Sequence, residues 1–441
     1  MTRVKVVPLS GSAAPGWVQL GSGLARIPYH LDADRRVLAL PRNFLDRCGC
    51  APEQDLHAYP VDGRLVIGPL LGIWVRSSAL RSWQRGIRTF DREARAAGAL
   101  PFFFDLDGID RAAGRITGWT AAGERVRRVT LPLPDVIYNR ATFPDLRERA
   151  AARAMRQALL EEELIPFVNV ASGFPKWDTY RTLRRFTATR HLVPETIRFG
   201  DRAALARFLR RHRLVYMKSN TGSHGTEVLR LEADPAGGWS VKGQIGNRRV
   251  QTRVATTAQL CSLLPRLVGS KEWVVQRGIR LPRLQGRRWD LRIEVKKDGT
   301  GRWTVPLVLV RLGNPASVTT NISRGATPFT LEEFLRRFRD APGVAGLEEK
   351  ATRVGRLVAV ALEATYGGLG EIGVDMGLDP AGRPWVFEAN TKPQYGPRPR
   401  SRQVRGVMAY AVHLALRAWA GREAGGTGRL RPLPAQDSFP W

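Results

Sequence analysis

The chain has 441 residues, of which 43% are hydrophobic, and a formal net charge of +30. This length exceeds what one hydrophobic core usually supports, so about two to four domains are expected. Three cysteines are too few for a disulfide framework or a four-cysteine zinc site, and they favour a reducing, cytoplasmic compartment. No apolar run reaches the roughly 18 residues of a membrane span, and no secretory signal is recognisable at the N-terminus.

The basic residues are mostly arginine, since only nine of the 70 Lys and Arg residues are lysine. A strongly basic surface attracts polyanions such as nucleotides, nucleic acids, acidic polymers or anionic lipid head groups. The basic residues are dispersed along the chain, so a generally basic surface without such a partner explains the charge equally well. A nucleic-acid-binding protein has little support, because no helix-turn-helix, RNP motif or zinc finger is present.

The N-terminal part of the chain divides by its pattern into two segments. Residues 1–70 predict a small β-rich domain, with short strands between Gly, Pro and Asp turns. From residue 71 strands alternate with helices, which predicts a small, largely parallel α/β sheet over 71–141. A helical connector is expected over 142–175, and the Gly-, Pro- and Arg-rich end, 421–441, is expected to be a disordered tail.

A candidate phosphate-binding loop follows a predicted strand that ends at Lys218. The loop reads SNTGSHG from Ser219 to Gly225. A lysine beside a loop of small residues can hold phosphates through its ammonium and the N–H groups of the loop. The pattern is not a Walker loop, and an ordinary hairpin loop remains an alternative. Because lysine is scarce, the positions of Lys176 and Lys392 beside similar loops favour the phosphate interpretation.

Two further segments suit a nucleotide site. The strand EWVVQRGI, 272–279, places Gln276 and backbone groups where they could bind an adenine edge, although a plain buried strand fits as well. In WDLRIEV, 289–295, Arg292 lies between two carboxylates on one face. It forms either an ion-pair ladder or a contact with a transferring phosphoryl group. The loop TNISRGAT contains Asn321 and Arg324 and is also able to hold an anion.

A candidate metal site lies on two short strands, 373–378 and 383–390, that are joined by a Pro- and Gly-containing turn. If Ala381 and Gly382 form the centre of the turn, Asp375 faces Glu388 across the strand pair, and Asn390 lies on the same face. Opposed carboxylates require a cation between them, and these oxygen ligands suit Mg²⁺ or Mn²⁺. Acidic residues on a solvated hairpin face are the alternative.

The order of these motifs resembles the ATP-grasp superfamily. More narrowly, IYNR at 137–140, FPKWDTYRTL at 174–183 and FEANTKP at 387–393 resemble the YheC/YheD endospore coat-associated group. The resemblance covers roughly residues 70–415. It implies a mixed α/β and α+β fold, in which a pre-grasp α/β domain precedes an ATP-grasp domain over 176–420. The two subdomains of that domain, 176–270 and 271–420, would hold ATP between antiparallel sheets.

The resemblance also implies a role for each candidate residue. Lys176 and Lys218 would bind ATP phosphates, and the lid would contain Ser219, Gly222, Ser223 and Gly225. The adenine would meet Gln276, Arg277 and Ile279, and the γ-phosphate would meet Arg292. Asn321 and Arg324 would border the γ-phosphate or the acceptor, while Mg²⁺ would be bound by Asp375, Glu388 and Asn390. Arg277 departs from the superfamily pattern, in which many members have an acidic residue.

The function implied by the superfamily is an ADP-forming ligase. Its carboxylate substrate attacks the γ-phosphate of ATP, and an amine or another nucleophile then takes the acyl-phosphate. Since Arg292 and the metal ligands are all present, catalysis is expected rather than inert binding. A non-catalytic ATP-binding spore coat protein and a basic polyanion binder are the alternatives. The acceptor stays unidentified, and spore coat proteins or an acidic polymer are the further partners considered.

Overall fold

A computed structural model describes residues 1–82, 84–122, 125–143, 145–222, 226–235, 237–315, 317–322, 325–341, 343–395 and 401–423. The chain forms two compact units. The first contains residues 1–170, 296–302 and those from 394 onward, and the second contains 171–295 and 303–393. The finer domain boundaries expected from the sequence stay a prediction.

The first unit begins with a seven-stranded sheet. Its strands are β1 (Thr2–Pro8), β2 (Pro15–Leu20), β3 (Gly23–Pro28), β4 (His30–Asp32), β5 (Val37–Leu40), β6 (Asp55–Val61) and β7 (Arg64–Gly68), in the order β3-β2-β7-β6-β1-β5-β4. Helix α1 (Arg42–Cys48) lies between β5 and β6 in the chain. The sheet falls within the segment that the sequence predicts to be β-rich.

A second sheet of the first unit is mixed. Its strands are β8 (Leu70–Trp74), β9 (Leu100–Phe104), β10 (Ile109–Asp110), β11 (Arg115–Ala122), β12 (Arg125–Pro132) and β13 (Val136–Asn139). Only β8, β9 and β13 are parallel, whereas β10, β11 and β12 extend the sheet in antiparallel fashion. The expectation of a largely parallel sheet is therefore wrong for half of its strands. Much of β12 is exposed, so a core-facing pattern is weak there.

Helices of the first unit cover the second sheet. They are α2 (Ser77–Ser82), α3 (Gln84–Ala96) and α4 (Leu146–Glu161). Apolar residues at helical spacing in α3, namely Ile87, Phe90 and Ala94, are buried in one core with residues of β8 and β13. This stripe is the one that the sequence pattern predicts.

The second unit contains an antiparallel sheet of six strands. They are β14 (Thr196–Arg198), β15 (Leu214–Ser219), β16 (Glu227–Ala233), β17 (Trp239–Ile245), β18 (Arg248–Val254) and β19 (Trp273–Arg277), in the order β14-β19-β15-β16-β17-β18. Helices α5 (Lys176–Arg185), α6 (Arg202–Arg211) and α7 (Thr257–Val268) also belong to this unit. The face that bears Val215 and Met217 packs into a core with α6 and α7, which leaves the opposite face of the sheet for polar residues.

The other sheet of the second unit carries the candidate metal strands. Its strands are β20 (Arg283–Leu284), β21 (Arg287–Lys297), β22 (Trp303–Leu312), β23 (Thr327–Thr330), β24 (Glu371–Leu378) and β25 (Pro384–Asn390). The order is β23-β22-β21-β24-β25, with β20 paired to β21. Helices α8 (Leu331–Phe338) and α9 (Leu347–Tyr366) contribute to the same core. α8 begins with a capping box formed by Thr330 and Glu333.

The last helix, α10 (Ser401–Glu423), belongs to the first unit and contacts α3. Val404, Val407 and Met408 form the buried side of α10, as their helical spacing predicts. The tail expected from residue 421 therefore begins with three helical residues, and 424–441 lie outside the described residues. In the described part of the chain, no helix is long and apolar enough to cross a membrane.

Candidate functional site

Lys218 projects from β15 toward the polar face of its sheet. Its ammonium donates to Oε1 of Gln276 at 2.7 Å and lies 3.5 Å from the carbonyl oxygen of Phe387. The pKa of Lys218 is lowered to about 8, chiefly by burial and also by nearby Lys176, while Glu388 and Asp375 act in the opposite direction. Near neutral pH this ammonium is therefore close to losing its proton, and a bound anion would stabilise its charged form.

Lys176, the first residue of α5, is buried beside the same strands. Its ammonium lies 3.5 Å from Oε1 of Glu388 and donates to the carbonyl of Gly222. The backbone N–H of Lys176 donates to the carbonyl of Asn220 at 2.9 Å. These contacts hold the start of α5, the loop after β15 and the carboxylate of Glu388 together, as expected if both lysines bind one polyphosphate.

Asn220 is a site residue that the sequence analysis did not single out. Its Oδ1 accepts from the N–H of Trp177 at 2.9 Å, and its Nδ2 donates to Oε2 of Glu272 at 2.9 Å. The side chain thus satisfies an N–H group at the start of α5, which Pro175 precedes without a side-chain cap. Since Asn220 is separated from α5 by about forty residues, local sequence gives no sign of this contact.

One cavity of the second unit brings most of the candidate residues together. Those that line it are Lys176, Lys218, Gly222, Gln276, Arg277, Ile279, Asn321, Asp375 and Glu388. Three candidates do not line the cavity: Ser219 is buried as the last residue of β15, and Arg292 and Asn390 contact the lining residues Asp375 and Glu388. Ser223, Gly225 and Arg324 lie outside the described residues.

Part of the cavity lining is apolar. Val228, Ile279, Leu281 and Phe387 contribute to its lining, which suits a flat aromatic ring such as adenine. The side chain of Gln276 is already engaged, since it accepts from Lys218 and its Nε2 donates to Oγ1 of a threonine in β14 at 3.0 Å. An adenine contact by Gln276 would therefore require an exchange of these partners.

The backbone after Gln276 has defined partners as well. The N–H of Arg277 donates to the carbonyl of Glu195, and the N–H of Gly278 donates to the carbonyl of Leu214, both at 2.8 Å. The guanidinium of Arg277 lies over the ring of Trp385, 5.3 Å from its centroid. Arg277 thus lies against an aromatic ring at the mouth of the cavity, and its role toward a ribose stays untested.

The predicted pairing of Asp375 with Glu388 is confirmed. It results from two features that the sequence analysis did not foresee. Next to the turn, Leu378 pairs with Pro384, which is one residue away from the pairing expected from the sequence. A bulge at Phe387 then restores the expected pairing at Asp375. At the bulge, the carbonyl of Phe387 accepts a hydrogen bond of 2.6 Å from the hydroxyl of Tyr180, a residue far away in the sequence.

Two arginines surround the carboxylate of Asp375. Nε of Arg292 lies 2.8 Å from its Oδ1, and Nη1 of Arg311 lies 3.3 Å from the same oxygen. Asn390, in the orientation that satisfies its amide, accepts from Arg292 and donates to Oε1 of Glu388, both at 3.1 Å. Arg292 therefore joins Asp375 to Asn390. The sequence analysis expected a cation near the carboxylates of Asp375 and Glu388, and Arg292 supplies part of that positive charge.

Arg311 is the second site residue that the sequence analysis missed. It lies on β22, with its side chain 4% exposed, and its Nε and Nη2 donate to the two carboxylate oxygens of Asp290, each at 2.8 Å. Thr320 also donates to Asp290. Burial lowers the pKa of Arg311, but Asp290 and Asp375 outweigh burial and raise it above its usual value. The feature of the sequence that could have identified Arg311 as a site residue is the presence of an arginine within an otherwise apolar strand.

The donor set around Asp375 is suited to a hard cation. Asp375 and Glu388 supply carboxylates and Asn390 an amide oxygen, all from one face of β24 and β25. Oδ1 of Asp375 is buried and accepts no hydrogen bond from the described residues, despite the nearby guanidinium groups. The described residues contain no cluster of three His, Cys, Asp or Glu side chains that could hold a metal.

Comparison with known proteins shows one consistent relationship. A family model described as YheC/D-like ATP-grasp matches residues 164–414. The chain is 27% identical over 347 residues to the endospore coat-associated protein YheD of Bacillus subtilis (strain 168), covering 75% of this chain and 74% of that protein. It is 22% identical over 264 residues to YheC of the same organism, covering 60% of this chain and 71% of that protein.

Solved structures also show similarity. D-cycloserine synthetase DcsG has 15% identity and a TM-score of 0.48, over 79% of this chain and 99% of that chain. The D-alanine-D-alanine ligase from Coxiella burnetii has 14% identity and a TM-score of 0.45, over 80% of this chain and 98% of that chain. The family match and the curated relatives confirm the YheC/YheD resemblance and the ATP-grasp fold expected from the sequence.

Proposed function

Because the chain belongs to the YheC/D-like ATP-grasp family, we propose that it is an ADP-forming ligase that activates a carboxylate with Mg-ATP. The observation that carries this proposal is the convergence of two buried lysines, two carboxylates and the buried Arg311 on one cavity. Lysines bind phosphates as compact charges, while arginine stabilises the charge that develops on a transferring phosphoryl group.

ATP would be oriented by the apolar and the basic residues of the cavity lining. Its adenine would lie against the apolar wall that includes Ile279 and Phe387, and its phosphates would lie against Lys176 and Lys218. Asn321 lines the cavity with Asp290 and Arg311, which supports its proposed contact with the γ-phosphate or the acceptor. Ser219, Ser223, Gly225 and Arg324 keep their proposed lid and anion-binding roles as predictions.

The reaction has two steps. A carboxylate oxygen of the acceptor attacks the γ-phosphorus, and the bond between that phosphorus and the β–γ bridging oxygen breaks, which releases ADP. An amine or another nucleophile then attacks the acyl carbon, and inorganic phosphate leaves as the nucleophile loses a proton. Arg311 and Arg292 would stabilise the negative charge of the phosphoryl group, while Asp290 fixes the orientation of Arg311 through two hydrogen bonds.

A divalent cation, Mg²⁺ or Mn²⁺, would be held by Asp375, Glu388 and Asn390. When bound, it would neutralise charge on the nucleotide phosphates. On binding the metal, Asp375 would give up part of its ion pair with Arg292, and Glu388 part of its ion pair with Lys176. Both cationic groups would then be available to phosphate. In this proposal the two ion pairs hold the carboxylates and the cationic groups in place until the metal and the nucleotide bind, in addition to stabilising the fold.

The proposal is tested by ADP release with Mg-ATP and pooled cell-wall and spore metabolites, comparing wild type with Arg292→Ala. A ligase releases ADP only when its acceptor is present, and the variant binds ATP almost normally but loses turnover by orders of magnitude. Lys5→Ala serves as a control, because Lys5 is an exposed lysine of the first unit that pairs with Glu53 and does not line the cavity. Tight ATP binding without ADP release in any pool would contradict the ligase proposal.

A non-catalytic ATP-binding coat protein is the second candidate. It is favoured by the names of the two relatives, both endospore coat-associated proteins. We propose a cytoplasmic protein that associates with the spore or its coat, a placement that either function permits. The ADP-release experiment separates the candidates, because a coat protein needs the phosphate lysines but not an arginine at the reacting group.

A further inference from the structure

The polar face of the β14–β19 sheet continues beyond the cavity to the edge of that sheet. β18 is the terminal strand, and two further strands, β17 and β16, separate it from β15. The register places Lys218 opposite Val228, Val228 opposite Gln244, and Gln244 opposite Arg249. Lys218 and Val228 line the cavity, so this row of cross-strand neighbours leads from the cavity to the free edge.

Four basic residues occupy this continuation, and we call them the basic strip: Arg230, Lys242, Arg249 and Arg253. They lie on the polar face because Leu229, Leu231, Val241 and Val250, which alternate with them, are buried in the core below. Lys242, Arg249 and Arg253 are exposed.

Charge on the strip is nearly of one sign. Nine residues of β16, β17 and β18 point to the polar face, and Glu232 is the acidic one among them. Its carboxylate lies 2.7 Å from Arg230, so that pair is internally neutralised. Apart from Glu232, which is paired with Arg230, the three exposed basic residues have no acidic neighbour on this face of the three strands, which creates a local positive field on the approach to the cavity.

We infer that the basic strip binds an extended acidic polypeptide and guides one of its carboxylates to the reaction site. This inference rests on the proposed function, in which the acceptor is a carboxylate. The distance from β15 to β18 is three strand spacings, about 14 Å. About four extended residues cover that distance, so a short run of Asp or Glu would contact the strip while its end enters the cavity.

An acidic polypeptide fits this surface better than a nucleic acid. Single-stranded nucleic acids are held by aromatic side chains on which bases stack, together with basic groups. None of the nine residues on this face of β16, β17 and β18 is aromatic; the uncharged ones are Val228, Ser240, Gln244 and Gln251. Glutamine and serine beside arginine can instead hydrogen-bond to carboxylates and to peptide backbone.

The test measures the fluorescence anisotropy of a labelled peptide of eight glutamates. The strip variant is Lys242→Gln/Arg249→Gln/Arg253→Gln, which leaves the Arg230–Glu232 pair intact. The control is Arg336→Gln/Arg339→Gln/Arg356→Gln, which removes the same charge from exposed positions on and beside α8 and α9. Since an exposed ion pair changes affinity by roughly two- to fivefold, the strip variant should bind at least about tenfold more weakly. The control should change affinity less than about threefold.

Peptide length and a nucleic-acid probe sharpen the test. Affinity should rise from two glutamates to about five and then level, because about four residues cover the strip. Equal losses in the strip and control variants would overturn the inference and show that net charge alone attracts the peptide. An eight-nucleotide oligothymidylate that binds more tightly than the peptide and loses affinity in the strip variant would also overturn it, in favour of nucleic acid.

Failure of this inference can be told apart from failure of the proposed function. Stabilisation by Mg-ATP is measured by thermal melting on the same samples. If the strip variant retains ATP stabilisation and binds the peptide like wild type, the strip inference is wrong and the nucleotide site stands. If wild type shows no ATP stabilisation, the proposed function is wrong, whatever the peptide does. If charged residues on β18 serve only to prevent pairing with other chains, the variant should self-associate without loss of peptide affinity.

Discussion

ATP affinity should fall between pH 7 and pH 9 because of one lysine. The pKa of Lys218 is lowered to about 8 by burial, and the carboxylates beside it do not fully offset this effect. Its ammonium would be about 90% protonated at pH 7 and about 10% at pH 9. ATP phosphates favour the charged form, so binding raises this pKa. Affinity is then fully present below about pH 7 and is lost progressively as the pH rises through 8.

The expected magnitude is close to tenfold. If binding raises the pKa of Lys218 to about 10 or higher, the apparent Kd for Mg-ATP rises by about tenfold from pH 7 to pH 9, or about 1.4 kcal/mol. At pH 8 binding should take up about half a proton. Isothermal titration calorimetry in buffers of different ionisation enthalpy measures both quantities.

The matched control is Lys218→Arg, because arginine keeps its charge throughout this range. Its Kd should vary little between pH 7 and pH 9, and its proton uptake at pH 8 should disappear. An equal slope in wild type and in Lys218→Arg would refute the assignment of the pH dependence to this lysine. A wild-type Kd that does not change with pH would refute the argument that its ammonium binds the phosphates.

Three substitutions test the neighbours of the cavity. Arg311→Met leaves the buried carboxylate of Asp290 without its arginine partner and should lower the free energy of unfolding by about 3–5 kcal/mol in urea titrations. Adding Asp290→Asn should recover much of this loss, and no recovery would contradict the pairing. Asn220→Ala removes two side-chain hydrogen bonds and should cost about 1–3 kcal/mol by thermal melting, with no shift contradicting its role at α5. Gly373→Ala places a Cβ 2.8 Å from Nη1 of Arg292 and should reduce ADP release more than ATP affinity; an equal loss of both would contradict that role of Arg292.

The sequence predicts well where a pattern is local. The apolar stripe of α3 and the strands that flank the candidate metal residues follow side-chain periodicity, which depends on neighbours within a few positions. The opposition of Asp375 and Glu388 was also predicted, but a one-residue error in the turn was cancelled by the bulge at Phe387. That bulge depends on a hydrogen bond from Tyr180, about 200 residues earlier, which no local pattern reveals.

The residues that were missed act over long sequence distances. Asn220 is recognisable as a site residue only when the loop after β15 lies against the start of α5. Arg311 lies in an apolar strand, and its importance follows from the burial of Asp290 beside it, which raises the pKa of that carboxyl. The antiparallel extension by β11 and β12 was missed because much of β12 is exposed and gives no core-facing pattern.

The most direct measurement of the central claim is the affinity of Mg-ATP for the cavity, determined by calorimetry at pH 7. We predict that wild type and Lys5→Met, which changes an exposed lysine of the first unit outside the cavity, bind Mg-ATP with similar Kd values. Lys176→Met/Lys218→Met should weaken binding by about a hundredfold or more, because two charge-assisted contacts to phosphate are removed. Equal affinity in all three proteins would contradict the claim that this cavity binds ATP.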